Sequence, residues 1–333
     1  MTGTRIAVVG ASGLVGQELI KLIKGNPKTS TLQMDLYASQ NYPEQGIKAL
    51  ASNWDELRKA DFVFNMSSSE IAVELREKKS AKQVVIDNSS AFRLHPEVPL
   101  VVPEINAELL ESGPKYIANP NCTSILLCLP LQILKPLGLK RVIVSTYQAA
   151  SGAGKEGLEE LKKQSEGNDS GKYPVFGFPL NKNIMSHNTK VRAEGQVGAG
   201  YNEEEWKVIE ETRKILHIRH LMISATCMRV PVERAHLETV TVDLEENVSL
   251  LEIRDLFFKA PGLKVVDNWE SNHFPMPIEA QNQNDVLVGR FHLDSSTDQT
   301  LHFILAGDQL LKGAALNALQ IFQAYPKHFL EVS

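Results

Sequence analysis

A chain of 333 residues, 43% hydrophobic and 23% charged, is long enough to bury a large core and to divide into two domains. Its net charge of −5, with no Lys/Arg block of five or more residues, provides no field for gathering nucleic acid or an anionic membrane, and neither partner is expected. Three cysteines (Cys122, Cys128, Cys227) lack disulfide or metal spacings, no apolar run reaches membrane length, and no signal-peptide core follows Met1, so a reducing compartment, the cytoplasm, is the expected location.

In chain order, residues 5–9 form an aliphatic run of buried-strand type. Gly10-Ala11-Ser12-Gly13-Leu14-Val15-Gly16 follows, then apolar positions at helical spacing, Val15, Leu19, Leu22 and Ile23. Strand, glycine turn and helix predict a dinucleotide-binding turn. Gly10 permits the tight turn, Gly13 the approach of backbone to a pyrophosphate, and Gly16 close packing, with Leu14 and Val15 covering the approach. The G-x-x-G-x-x-G spacing differs by one position from the commonest fingerprint, which leaves a bare structural turn as the alternative. A second strand, 32–38, ends in neutral Ser39-Gln40-Asn41, where an NAD site usually carries an acid; Asp35 lies inside the run and is expected to point elsewhere. The neutral end favours NADP over NAD, although no arginine stands there for the 2′-phosphate.

Runs 60–65 and 83–88 predict further strands ending in Ser67-Ser68-Ser69 and Ser89-Ser90, the kind of strand end where doubly wound sheets place ligands. Arg93 follows closely enough to offer a guanidinium fork to phosphate or carboxylate, or else is a surface arginine. A strand at 115–118 then leads into Asn119-Pro120-Asn121-Cys122-Thr123, just ahead of the apolar run 125–129. A cysteine at the mouth of a helix meets the partial positive charge of unpaired N–H groups, as a nucleophile requires. On the motif alone, a small core cysteine is the equal alternative.

Residues 125–139 are apolar nearly all round and predict a buried helix kinked at Pro130. The strand 140–147 ends in Gln148-Ala149-Ala150-Ser151-Gly152-Ala153-Gly154, a small-residue turn where something must approach the backbone. Residues 155–200 are charged and glycine-rich, and a long irregular excursion is expected there. A helix over 203–216 sets Glu204 and Lys207 at i, i+3, by itself an ordinary solvated ion pair. Runs 222–230, 237–244 and 285–293 predict strands and 249–259 a helix, together an antiparallel or mixed sheet covered on one face. The first two of these strands bracket Arg229 to His236. A strand at 301–306 and a helix over 310–324 return to close the first domain. His217 and His220 have no third ligand nearby, so no metal is expected.

Several of these stretches together resemble the aspartate-semialdehyde dehydrogenase family, in family order and over nearly the whole chain. They are Gly10 to Gly16; Ser89-Ser90-Ala91-Phe92-Arg93; Asn119 to Thr123; Ser145-Thr146-Tyr147-Gln148-Ala149-Ala150-Ser151-Gly152; Glu204-Glu205-Trp206-Lys207; Cys227-Met228-Arg229-Val230-Pro231 through His236; and Gly307-Asp308-Gln309-Leu310-Leu311-Lys312-Gly313-Ala314-Ala315. The resemblance implies an α/β protein. A Rossmann-type doubly wound nucleotide-binding domain would span 1–121 and be completed by a C-terminal helix at 308–333. An α+β catalytic and dimerisation domain with a mixed or antiparallel sheet would span 122–307, and the chain would form a homodimer or homotetramer.

The same resemblance implies roles. Cys122 would attack the aldehyde to give a thiohemiacetal and then an acyl thioester, which phosphate releases as aspartyl phosphate. His236 would be the acid/base. Arg229 would grip the α-carboxylate, Glu204 the α-amino group, and Gln148 would orient the substrate beside the thiol; Arg93 and Lys207, with Asn121, would hold phosphate. Gly10, Ser12, Gly13, Leu14, Val15, Ser39, Gln40, Ser151, Gly152 and Gln309 would bind the coenzyme, NADP with NAD as the alternative. Family members often carry a basic residue where this chain has Gln40-Asn41-Tyr42 and glycines where it has Ser67-Ser68, and the segment 45–55 is shortened. Two rivals stand beside this reading. One is an N-acetylglutamyl-phosphate reductase, whose cysteine usually follows Pro-Gly rather than Pro120-Asn121. The other is a nucleotide-sensing protein that kept the fold without the chemistry, against which the retained site residues argue.

Overall fold

The computed structural model describes residues 3–168 and 170–326. The chain forms two compact units: one runs up to Asn121 and resumes at Ala314, the other is Cys122–Gly313. Residues 308–313, which the resemblance assigns to the nucleotide-binding part, therefore belong to the second unit.

The first unit is built on six parallel strands, β1 (Arg5–Val9), β2 (Gln33–Ala38), β3 (Ile47–Ala49), β4 (Phe62–Asn65), β5 (Val84–Asp87) and β6 (Tyr116–Ala118), in the order β3-β2-β1-β4-β5-β6. Helices α1 (Leu14–Gly25), α2 (Trp54–Leu57), α3 (Ser69–Lys78) and α4 (Pro103–Asn106) make the connections. The strand order reverses beside β1, the switch point at which such sheets leave a crevice at their carboxyl ends. β4 and β5 are buried throughout, which is why they read as unbroken apolar runs. β3 is absent from the sequence reading. Three residues, Ile47-Lys48-Ala49, are too few to show a strand period, and their pairing with Leu36, Tyr37 and Ala38 of β2 reveals them. Asp35 turns away from the strand end as expected, bonding to Arg5 at 2.6 Å with Lys48 at 3.7 Å.

The second unit opens with α5 (Cys122–Leu134) and continues through β7 (Leu139–Gln148), α6 (Gly154–Ser165), β8 (Met185–Ser186), α7 (Glu203–Leu216), β9 (Met222–Arg229) and β10 (His236–Leu244). It closes with α8 (Leu250–Phe258), β11 (Leu263–Val265), α9 (Pro277–Ala280), β12 (Val286–Asp294) and β13 (Thr297–Gly307), after which a π-helical turn at Leu311–Ala315 carries the chain from the second unit back into the first. The seven-stranded sheet has the order β11-β12-β13-β10-β7-β9-β8. It is mixed: β7 runs parallel to β9 and antiparallel to β10. Burial alternates along β9 and β10, with one face covered by α5 and α7.

Within 155–200 the expected irregular stretch begins instead with α6, a 12-residue helix. Its inner face mixes Gly157 and Leu161 with buried Glu160 and Gln164, so the apolar stripe is interrupted by polar residues. Those two side chains take up backbone donors of the loop that follows. The Glu160 carboxylate accepts from Val175 N–H (2.9 Å) and Phe176 N–H (3.3 Å), and Gln164 Oε1 from Leu180 and Asn181 N–H (both 2.8 Å).

After the π-helical turn, α10 (Leu316–Ala324) rejoins the first unit. Phe322 and Tyr325 meet Phe62 of β4 edge to face at 4.8 and 5.3 Å between ring centres, closing the core that also holds Ile6, Val8, Phe64 and Ile86. No helix among the described residues is long and apolar enough to cross a membrane.

Candidate active site

In the first unit, the turn between β1 and α1 is closed to side chains. Gly10 has φ +82, and a Cβ there would lie 2.4 Å from the Met66 carbonyl oxygen; one on Gly16 would lie 2.2 Å from the Gly10 carbonyl oxygen. Gly13 is different, because a Cβ there meets Gly10 at an ordinary 3.4 Å, so the turn itself does not require a glycine at that position. Gly13 caps α1 without a side-chain bond, and no acid lies in the first turn after Ser12, Leu14 and Val15. The helix N-terminus is thus open to an anion, and the glycine cradle fits a pyrophosphate. Ser39 and Gln40 are exposed beyond β2, with Gln40 Nε2 2.8 Å from Tyr42 Oη. Arg93 is buried, not a surface residue; Nε donates to Asn119 O (2.9 Å) and Nη2 to Asn88 O (2.7 Å). Asn121 is buried too and ends this unit.

The second unit gathers Cys122, Gln148, Ser151, Gly152, Glu204, Lys207, Arg229, His236 and Gln309. Cys122 is the first residue of α5 and partly exposed, unlike Cys128 and Cys227, whose thiols are buried and pushed up by that burial. A Cβ on Gly313 would fall 2.9 Å from Cys122 Cβ, so the missing side chain at 313 makes room for this cysteine. Gln148, at the end of β7, reaches back to the same helix. Its Nε2 lies 3.1 Å from Thr123 Oγ1, 3.3 Å from Thr146 Oγ1 and 3.4 Å from Glu204 Oε1.

Arg229 and His236 end β9 and begin β10, and both converge on Gly152. A Cβ on Gly152 would stand 3.0 Å from Arg229 Nη1 and 3.3 Å from His236 Nε2, which is the close backbone approach expected of that small-residue turn. Arg229 is 2% exposed. Nη1 donates to Ala149 O at 2.8 Å, Nη2 lies 2.6 Å from His187 Nε2, and Nε has no partner. Burial pushes the Arg229 guanidinium down, while Glu204 and Cys122 act in the opposite sense.

His236 is fully buried, and its Nδ1 accepts the Ala149 N–H at 3.0 Å. A backbone N–H can only donate, so the neutral ring carries its proton on Nε2, and that N–H has no partner. Burial, then Arg229, pushes its pKa down to about 3. The preceding Ala235 holds φ +72, and its N–H donates to Gln309 Oε1 at 2.8 Å while Gln309 Nε2 donates to Ser151 Oγ at 2.6 Å. Gln309 thus braces the turn that aims the imidazole.

Glu204 is buried on the first turn of α7, with Lys207 Nζ 3.6 Å away. The partners that hold these groups carry no mark in the sequence. Ala149 and His187 lie 80 and 42 residues from Arg229, and no local spacing marks them. Among the described residues, no group of three or more His, Cys, Asp or Glu could hold a metal ion.

The family profile described as "Semialdehyde dehydrogenase, NAD binding domain" matches residues 5–113, and "Semialdehyde dehydrogenase, dimerisation domain" matches 129–312. The chain is 40% identical to an aspartate-semialdehyde dehydrogenase of Synechocystis sp., over 95% of this chain and 96% of the relative. It is 35% identical to that of Bacillus subtilis, over 98% of each. The crystal structure of aspartate semialdehyde dehydrogenase II from Vibrio cholerae superposes with a TM-score of 0.86 at 29% identity, covering 96% of this chain and 97% of the other; the same enzyme complexed with ASA also gives 0.86, at 27% identity, covering 97% and 98%. The first unit is accordingly an NAD(P)-binding domain and the second a dimerisation domain of an oligomeric protein. The chain belongs to the aspartate-semialdehyde dehydrogenase family of phosphorylating oxidoreductases.

Proposed function

We propose that the protein catalyses the reversible NADP-dependent reductive dephosphorylation of L-aspartyl 4-phosphate to L-aspartate 4-semialdehyde and phosphate, through a thioester on Cys122, as a cytoplasmic homodimer or homotetramer. Such a reaction serves lysine, threonine and methionine synthesis. The observation that carries this reading is the convergence in one unit of a cysteine at a helix N-terminus, a buried arginine with an unpartnered Nε and an imidazole with an unpartnered Nε2.

The positive end of α5 stabilises a thiolate at Cys122, which attacks the acyl carbon and expels phosphate. Arg229 grips the α-carboxylate with charge-assisted donors, Glu204 takes the α-amino group, and Gln148 orients the acyl group. Arg93, Asn121 and Lys207 hold the phosphate. Gly10, Ser12, Gly13, Leu14, Val15, Ser39, Gln40, Ser151, Gly152 and Gln309 hold the coenzyme, whose reduced form supplies a hydride. The neutral end of β2 supports NADP over NAD.

For His236 the geometry favours a narrower role than acid/base. Accepting a proton at Nε2 needs a bare lone pair there, and a neutral ring whose Nδ1 already receives the Ala149 N–H has none. His236 therefore donates its Nε2–H to the oxyanion that forms when the thioester is reduced, much as an oxyanion hole does. The cycle balances without a proton passing through the ring, because collapse of the oxyanion returns the aldehyde and the Cys122 thiolate, and the expelled phosphate takes up the proton consumed overall.

The test is an assay of the purified protein with aspartate semialdehyde, phosphate and each coenzyme in turn. Coenzyme reduction that requires both semialdehyde and phosphate, and is faster with NADP, is expected. Absence of turnover with either coenzyme would overturn the proposal, and turnover of N-acetylglutamate semialdehyde alone would move the protein to the reductase reading.

A further inference from the structure

We propose that His187 is a positioning residue that fixes Arg229 and ties it to the N-terminus of α7, holding the carboxylate grip and the amine grip of the substrate site at one spacing. This rests on the proposed roles of Arg229 and Glu204. Arginine can only donate, so His187 Nε2, 2.6 Å from Arg229 Nη2, must be the acceptor. The proton of the neutral ring then sits on Nδ1 and points at Thr189 Oγ1, 3.2 Å away. The same hydroxyl oxygen accepts the backbone N–H of Glu204 at 3.2 Å. Every donor and acceptor in the chain Arg229–His187–Thr189–Glu204 is thus fixed by one residue that cannot accept.

The fold serves this contact. β8 is only two residues long, pairs Met185 with Arg229 and Ser186 with Met228, and is followed at once by His187, whose N–H reaches Cys227 O at 2.9 Å. His187 is 8% exposed, and burial keeps its pKa down at about 4, so it remains a neutral acceptor throughout the neutral range. Bonds from Nη2 to His187 and from Nη1 to Ala149 hold the guanidinium at two points, and Nε keeps its N–H for a ligand. A free α-amino acid end, carboxylate beside ammonium, is the chemistry this fixed pair of grips recognises.

Steady-state kinetics on His187→Leu, His187→Gln, Arg229→Leu and the Leu/Leu double variant test this. Losing a hydrogen bond to a charged group costs about 1.5–3 kcal/mol, so His187→Leu should raise the semialdehyde KM about 10- to 150-fold, with phosphate and coenzyme KM within about twofold and kcat within about threefold. In His187→Gln the amide oxygen replaces Nε2 and the NH2 replaces Nδ1–H, so KM should return to within about threefold of the parent. The double variant should be no worse than Arg229→Leu alone. A rise in all three KM values, a Gln variant as impaired as the Leu variant, or additive losses would each overturn the proposal. If Arg229→Leu leaves the semialdehyde KM unchanged, the role of Arg229 fails first and that of His187 with it. Should the Leu variant not fold, His187→Asn, too short to span both partners, replaces it with the same expectation.

Discussion

At the level of single residues, the proposed chemistry divides between Cys122 and His236, and the two make different predictions. Cys122→Ala should abolish turnover while coenzyme binding, followed by fluorescence titration, persists, because the glycine turn that would bind the pyrophosphate lies in the other unit. Equal loss of both would make Cys122 structural. His236, with its pKa pushed down to about 3, is neutral from pH 5 to 8, so kcat should show no imidazole limb in that range. His236→Ala should lower kcat about 10²- to 10³-fold, as loss of an oxyanion donor does, with the surviving activity showing the same pH profile as the parent. A parental limb between pH 5 and 8 that vanishes in the variant would restore the acid/base role. Cys122, Arg229 and His236 stand out in the sequence because motifs surround them. Their tautomers and orientations do not, because those depend on Ala149, 87 residues from His236, and on Gly313, which shows its purpose only against Cys122.

Among the elements, the ones legible from sequence are those whose burial follows their own period. β9 and β10 alternate, and α5 is apolar all round. α6 and β8 escape for opposite reasons: one buries polar residues, the other has two residues and exists only by pairing with β9. The start of α7 matters because Glu204 lies on its first turn and Lys207 on the next. Asn202 Oδ1 accepts Glu205 N–H at 2.9 Å, and Glu205 accepts both Asn202 N–H (2.8 Å) and Cys227 N–H (3.0 Å), joining the helix to β9. Asn202→Ala should cost about 1 kcal/mol, seen as a fall of about 2–4 °C in Tm. Asn202→Asp, which keeps the accepting oxygen, should melt close to the parent. An Asp variant as labile as the Ala variant would mean that the cap contributes nothing.

Over the whole molecule, the two-unit plan and the mixed second sheet follow from the order of runs along the chain, whereas the pH dependence of stability follows from groups that burial alone perturbs. His236 and His187 are held at about 3 and about 4, against 6.5 for a free imidazole. Below pH 6.5 the unfolded chain binds protons that the folded chain refuses, so these two rings destabilise the fold as the pH falls from 6.5 towards 4. Glu238 acts the other way. It is fully buried on β10, neither carboxyl oxygen has a partner, and desolvation raises its pKa well above 4.5. Above pH 4.5 the unfolded chain releases a proton that the folded chain retains, so this group lowers stability as the pH rises, by about 1.4 kcal/mol per unit until the folded group ionises. Between pH 4.5 and 6.5 the two histidines and the carboxyl therefore act in opposite senses, and beyond 6.5 the histidines no longer contribute. Glu238→Gln keeps the shape and removes the ionisation, so the difference between variant and parent isolates this residue. The two should have similar Tm values at pH 4.5, and the variant should gain on the parent as the pH rises above 4.5. A Tm difference independent of pH above 4.5 would show that the folded protein does not hold Glu238 protonated, and would overturn this assignment.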